Sequence, residues 1–244
     1  MKTRTFLVTA LLASFVLSAS ADGFRVSILG DSYSTFEGSI PEGNAIWYFK
    51  PPKARNGVES PEQTWWGQTI ALVGGTLEKN ESWSGSTICY TGYNKSNAKK
   101  SSFVTRVPRL GNPNLILVCG ATNDSWANSP IGEYKYENWT EDDLFTFRPA
   151  MAKMLADLKA TYPGAAVFFL LNDILKPEIN DSVHEICRHY AVPCVDLKGI
   201  TKQGGHPDLA GMTAMAEQTA KLVLLASNAT IDKTPKAPVP EAAE

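Results

Sequence analysis

The chain has 244 residues, of which 43% are hydrophobic, 10% aromatic and 20% charged, enough to bury one sizeable core and too apolar for a disordered or low-complexity segment. Lys plus Arg number 23 against 25 Asp plus Glu, and the only basic cluster is Lys95, Lys99 and Lys100, so the chain lacks the electrostatic footprint of a nucleic-acid binder. His184 and His189 are five residues apart, which keeps them off a common helical face, and with His206 as the only other histidine no metal ion or other cofactor is expected.

At the start, Lys2 and Arg4 precede an uncharged run over 6–17, and Ala19-Ser20-Ala21 follows with the small-x-small pattern of a signal-peptide cleavage site. The run is too short to span a membrane, and no cysteine at the cleavage point offers a lipid anchor. A signal peptide over 1–21 is therefore expected, followed by one domain over 22–227 in the periplasm or outside the cell, with no membrane anchor after cleavage. Six Asn-x-Ser/Thr sequons, one at Asn80 and another at Asn123, fit a bacterial periplasm that leaves them unmodified.

Short apolar runs bounded by Gly, Pro or Asn predict strands at 24–29, 77–82, 115–119, 166–171 and 192–197. Helical patterns fall between and after them, at 62–72, 101–110, 141–162, 177–190 and 208–225. Pro61 and Pro177 stand at first-turn positions, and Asp208 is placed to cap the last helix. Strands alternating with helices pair in parallel, so the expected fold is α/β, a three-layer α/β/α sandwich around a five-stranded parallel sheet. The stretch 200–205 reads as a loop, and the Pro-rich 228–244 as an appendage. Cys187 and Cys194 are close enough in sequence for a disulfide, although two buried free thiols satisfy the same pattern.

In an open parallel sheet the ligand site lies at the carboxyl ends of the strands. Four chemistry-bearing segments fall there. Gly30-Asp31-Ser32-Tyr33-Ser34 follows the first strand, at a turn where a helix N-terminus would face the Ser32 hydroxyl. Asn80 to Gly85 closes the second, Thr122-Asn123-Asp124 follows the third, and Gly204-Gly205-His206-Pro207 precedes the last helix. Singly, each has a bland explanation as a cap, a turn glycine or a structural histidine.

Together, in this order, they resemble the four sequence blocks of the SGNH (GDSL-type) hydrolase superfamily over most of the chain. That resemblance implies an SGNH/flavodoxin-like hydrolase fold, with Ser32 as nucleophile and His206 as general base. It further implies an oxyanion hole built from the Ser32 and Gly85 N–H groups and the Asn123 amide. Two departures stand out: Ala121 replaces a usual glycine, and Gln203 stands where the family has an aspartate three residues before the histidine. The imidazole then needs another acceptor, with Gln203, a backbone carbonyl of 201–205, Asp196 and Asp208 as candidates. A Ser-His dyad using a carbonyl or Gln203 is the simpler reading, since Asp208 is explained as a cap.

Aromatic residues crowd the same segments, with Asp31, Tyr33, Trp83 and Trp126 as candidate substrate contacts and Phe36, Trp47, Trp65, Trp66, Tyr90, Tyr134, Tyr136 and Trp139 nearby; about half are expected in the core. The resemblance extends to SGNH proteins of glycan-degrading gut bacteria of the Bacteroides type. It implies a serine esterase that removes O-acetyl groups from glycans, with a small-molecule or polysaccharide ester as substrate. A lipase, thioesterase or lysophospholipase of the same fold, or a catalytically impaired glycan-binding protein, would carry the same residues.

Overall fold

The computed structural model describes residues 24–231, so the expected signal peptide lies outside the described residues. Five strands, β1 (Phe24–Gly30), β2 (Gly75–Ser82), β3 (Leu115–Gly120), β4 (Ala166–Leu171) and β5 (Cys194–Asp196), form one sheet in the order β2-β1-β3-β4-β5, every neighbouring pair parallel. The helices are α1 (Trp65–Leu72), α2 (Phe103–Arg106), α3 (Thr122–Trp126), α4 (Phe147–Thr161), α5 (Pro177–His189) and α6 (Leu209–Ile231).

The period-2 alternation of each strand feeds two cores, one on either face of the sheet. On β3, Leu115, Leu117 and Cys119 pack with Trp65, Trp66 and Ile70 of α1 and with Met212 and Met215 of α6. Ile116 and Val118 point the other way, toward Phe103 of α2, Met151 and Leu155 of α4 and Val183 of α5. The result is the expected α/β/α sandwich. Among the described residues no helix is long and apolar enough to cross a membrane.

Several expected helices are divided, and each division has a local cause. Thr64 adopts extended geometry (φ −70°, ψ 157°) and its side chain accepts the Gly67 N–H, so it caps α1 and separates it from a 3-10 turn at Pro61–Gln63. Pro108, lacking an N–H, ends α2 in the 3-10 turn Val107–Arg109. Extended Thr146 (φ −117°, ψ 150°) splits 141–162 into the turn Asp142–Phe145 and α4. β5 begins later than expected because Val192 N–H still bonds the Cys187 carbonyl and Pro193 has no N–H to give. At the other end α6 runs to Ile231, past the start of the expected appendage, whose remainder lies outside the described residues. All four cysteines are free thiols.

Candidate active site

β1 ends where a side chain has no room: a Cβ on Gly30 would lie 2.6 Å from Ser82 Oγ on the adjoining strand. The chain then enters a three-residue 3-10 turn, Ser32–Ser34, capped by Asp31, whose Oδ1 accepts the Tyr33 N–H at 3.0 Å. This is a single turn rather than the helix N-terminus expected at the serine, so its orientation comes from hydrogen bonds. Trp66 Nε1 and Asn80 Nδ2 both donate to the Ser34 carbonyl, at 2.9 and 3.0 Å.

The histidine arrives on a hairpin in place of the expected loop. β6 (Lys202–Gln203) and β7 (His206–Pro207) pair antiparallel across Gly204-Gly205, both at positive φ (56° and 78°), the two-residue turn that glycine favours. Three donors from distant segments pin this hairpin to the body. Asn56 Nδ2 donates to the His206 carbonyl at 2.9 Å, Tyr48 Oη to the Pro207 carbonyl at 2.7 Å and Tyr33 Oη to the Gly205 carbonyl at 2.6 Å.

The two halves meet with His206 Nε2 2.9 Å from Ser32 Oγ. On the far side of the ring, Nδ1 lies 3.2 Å from the Gly204 carbonyl, so the tautomer with Nδ1–H donating to that oxygen leaves the Nε2 lone pair facing the serine. Trp47 stacks on the imidazole, ring centroids 3.5 Å apart and planes inclined by 11°, and Trp126 stands edge-on at 6.3 Å. Burial, aided by the Arg55 cation, holds the His206 pKa below its ordinary value of about 6.5, despite the Gly204 bond pulling it up. If the neutral ring is the base, kcat/KM falls on the acid side with a midpoint below about 6.5 and is flat above it. A midpoint well above that value, with chemistry rate-limiting, would exclude this imidazole.

Gly85 is solvent-facing at φ +79°, a backbone conformation that suits glycine, beyond the end of β2. Its segment is braced by the buried Arg106, which donates to the Glu81 carbonyl, to Ser86 Oγ at 2.9 Å and to the Ser101 carbonyl at 2.8 Å; burial lowers its pKa to about 9. Asn123 lies in α3, whose N-cap Ala121 takes a left-handed conformation (φ 70°), which accounts for the family's glycine at that position. Asn123 Nδ2 donates to the Ser86 carbonyl at 2.9 Å and Oδ1 accepts from Tyr93 Oη at 2.7 Å, leaving the second amide hydrogen for a ligand. Its neighbour Asp124 is buried and accepts the Ile88 and Cys89 N–H groups, tying α3 to the same segment.

Two expected substrate contacts do not face the opening. Asp31 is 1% exposed and Tyr33 fully buried; the first caps the Ser32 turn and the second struts the histidine hairpin. Burial, partly offset by the Tyr33 N–H bond, raises the Asp31 carboxyl to about 7. Trp126 is 40% exposed beside His206, and Trp83 is half-buried under the Lys100 ammonium, 5.9 Å from its ring. Of the eleven aromatic residues near the site segments, Tyr33, Phe36, Trp65, Trp66 and Tyr90 are buried, in keeping with a core share of about half.

Nor do the two aspartates orient the imidazole. Asp208 accepts from Thr201 and from the Gly211 N–H at 2.8 Å, as a cap does, and Asp196 lies beside His184 at 3.3 Å. Gln203 offers its backbone oxygen to Asn56. Gln203→Ala should therefore leave kcat near wild type, far from the ~10⁴-fold loss that follows replacement of a triad aspartate. A large loss of kcat would show that the Gln203 side chain holds the ring. Trp47, Arg55, Asn56 and Tyr93 were not singled out as site residues; Trp47 and Tyr93 carried only the signal of being aromatic.

A model of the GDSL-like lipase/acylhydrolase family matches residues 24–223. The chain is 48% identical to a protein of Bacteroides ovatus described as GDSL-like lipase, over 83% of this chain and 98% of that one, with a TM-score of 0.81. A Bacteroides uniformis structure of the same description is 47% identical over 83% and 96%, with TM-score 0.81. A family two carbohydrate esterase from Clostridium thermocellum, solved with cellohexaose, shares the fold at 16% identity and TM-score 0.55, over 82% of this chain and 63% of that one. No curated protein gives a significant match.

Proposed function

The chain belongs to the GDSL-like lipase/acylhydrolase family, and from that premise we propose that it is an exported serine esterase that removes O-acetyl groups from glycans. The observation that carries the reading is the 2.9 Å contact between Ser32 Oγ and an imidazole whose other nitrogen is held by a carbonyl. Nε2 takes the Ser32 proton as Oγ attacks the ester carbonyl, and the imidazolium then returns that proton to the leaving sugar oxygen. Water, deprotonated by the same ring, releases acetate from the acyl-enzyme. The negative oxygen of each tetrahedral intermediate is met by the Ser32 and Gly85 N–H groups and by the free Asn123 amide hydrogen, donors of the kind whose individual loss costs about 10² to 10³ in kcat.

The substrate class rests on the rim. Trp126 and Tyr93, each 40% exposed, flank the imidazole and the Asn123 amide, giving flat apolar faces beside polar donors, which suits a sugar ring. Export rests on the leader pattern at 1–21.

Acetate release from a panel of acetylated polysaccharides, alongside p-nitrophenyl acetate and a long-chain p-nitrophenyl ester, tests this reading. Acetylated glycans and the acetyl ester should be turned over faster, by a route that requires Ser32. Higher kcat/KM on the long-chain ester would favour a lipase, and glycan binding without Ser32-dependent turnover a binding protein.

A further inference from the structure

At the β5 edge of the sheet, away from Ser32, the side chains of His184, Cys194 and Asp196, all with metal-binding chemistry, converge. His184 and Cys187 are three residues apart on α5 and so share a face, while Cys194 and Asp196, two apart on β5, share a side of the strand. His184 Nε2 lies 3.3 Å from Asp196 Oδ1, and Cys194 Sγ lies 3.8 Å from the same oxygen. One ligand atom from each of these three residues falls within 4.8 Å of the others. The Cys187 thiol neighbours Cys194 but is not part of that cluster.

These separations have a chemical meaning. Around a tetrahedral zinc ion, with bonds of about 2.0–2.3 Å to N, O and S, neighbouring donor atoms are roughly 3.3–3.8 Å apart. An imidazole-carboxylate hydrogen bond would explain the first distance alone, but not the Cys194 thiol 3.8 Å from the same oxygen. His184 and Asp196 also line a cavity of about 230 Å³. Mixed thiolate, imidazole and carboxylate donors suit zinc and disfavour magnesium or calcium.

The geometry points to a zinc site made by His184, Cys194 and Asp196, with water in the fourth position, stapling α5 to the three-residue edge strand β5. The ion replaces the Cys194 thiol proton, which passes to solvent, and is held by a thiolate, a neutral imidazole and a carboxylate with no change of oxidation state. Such a staple would anchor the chain just before the segment that leads to the His206 hairpin. It stands independently of the esterase reading, and it departs from the absence of metal expected from histidine spacing, which considered His184 only with His189. His189 instead stacks on Tyr136, ring centroids 3.8 Å apart.

The test uses the full chain, purified reduced and oxygen-free, stripped with a chelator and titrated with Co2+ and then Zn2+. One equivalent of Co2+ should produce a thiolate charge-transfer band and the visible bands of a tetrahedral ion, both removed by one equivalent of Zn2+. Cys194→Ser should lose the charge-transfer band, and Cys187→Ser should keep it. His184→Ala and Asp196→Asn, at half-exposed and exposed positions, should weaken binding without loss of fold, and Cys119→Ala should bind as wild type. Absence of the bands, or an unchanged spectrum in Cys194→Ser, would overturn the site. So would protein isolated from its own compartment two hydrogens lighter, with 187 and 194 joined.

Discussion

Ser32→Ala should lower kcat on acetyl esters by about 10⁶-fold, the order seen when the nucleophile of a serine hydrolase is deleted, while the protein melts within a few degrees of wild type. The two halves of this expectation come from different features. The substitution removes the oxygen placed 2.9 Å from His206 Nε2, and among the described residues no other hydroxyl bonds that nitrogen. The fold keeps the Ser34 carbonyl bonds and the Asp31 cap that shape the turn. What stability loses is one hydrogen bond, about 1 kcal/mol. Steady-state turnover with a thermal melt on the same preparation checks both, and residual activity near wild type would remove Ser32 from the mechanism.

His206→Ala should cost a similar factor, and the double variant Ser32→Ala with His206→Ala should be no worse than either single one. Proton removal and attack are one event, so deleting either partner disables both, and their effects do not add. Here the imidazole also fills space against Trp47 and Trp126, so its removal should lower the melting temperature more than Ser32→Ala does. The measurement is kcat/KM for the three variants. A double variant reduced by the product of the two single losses would mean that the two side chains act separately.

The sheet was legible because each strand alternates or runs apolar between Gly, Pro and Asn. The helix breaks were harder to read because Thr64 and Thr146 are compatible with a helical pattern and leave it only through extended backbone. In the site, Ser32, Gly85, Asn123 and His206 announce themselves through local motifs at strand ends, where a parallel sheet gathers its loops. Asp31 and Tyr33 stand next to Ser32 in sequence, but closeness along the chain does not give access to substrate, since the tight turn buries both. The acceptor for His206 was within reach: Gly204-Gly205 between two short extended pairs is a hairpin signal, and that hairpin folds the Gly204 carbonyl onto Nδ1. Asn56 and Tyr48 had no such signal. Each reaches the hairpin across about 150 residues of sequence, a distance no local pattern encodes.

Whether Ser32 is a nucleophile activated by His206 is tested most directly by a serine-directed phosphonate followed by peptide mapping of the labelled protein. A single adduct on Ser32, absent in Ser32→Ala and formed far more slowly in His206→Ala, is the expected result. An adduct on another residue, or labelling of Ser32 at an unchanged rate without the imidazole, would contradict it.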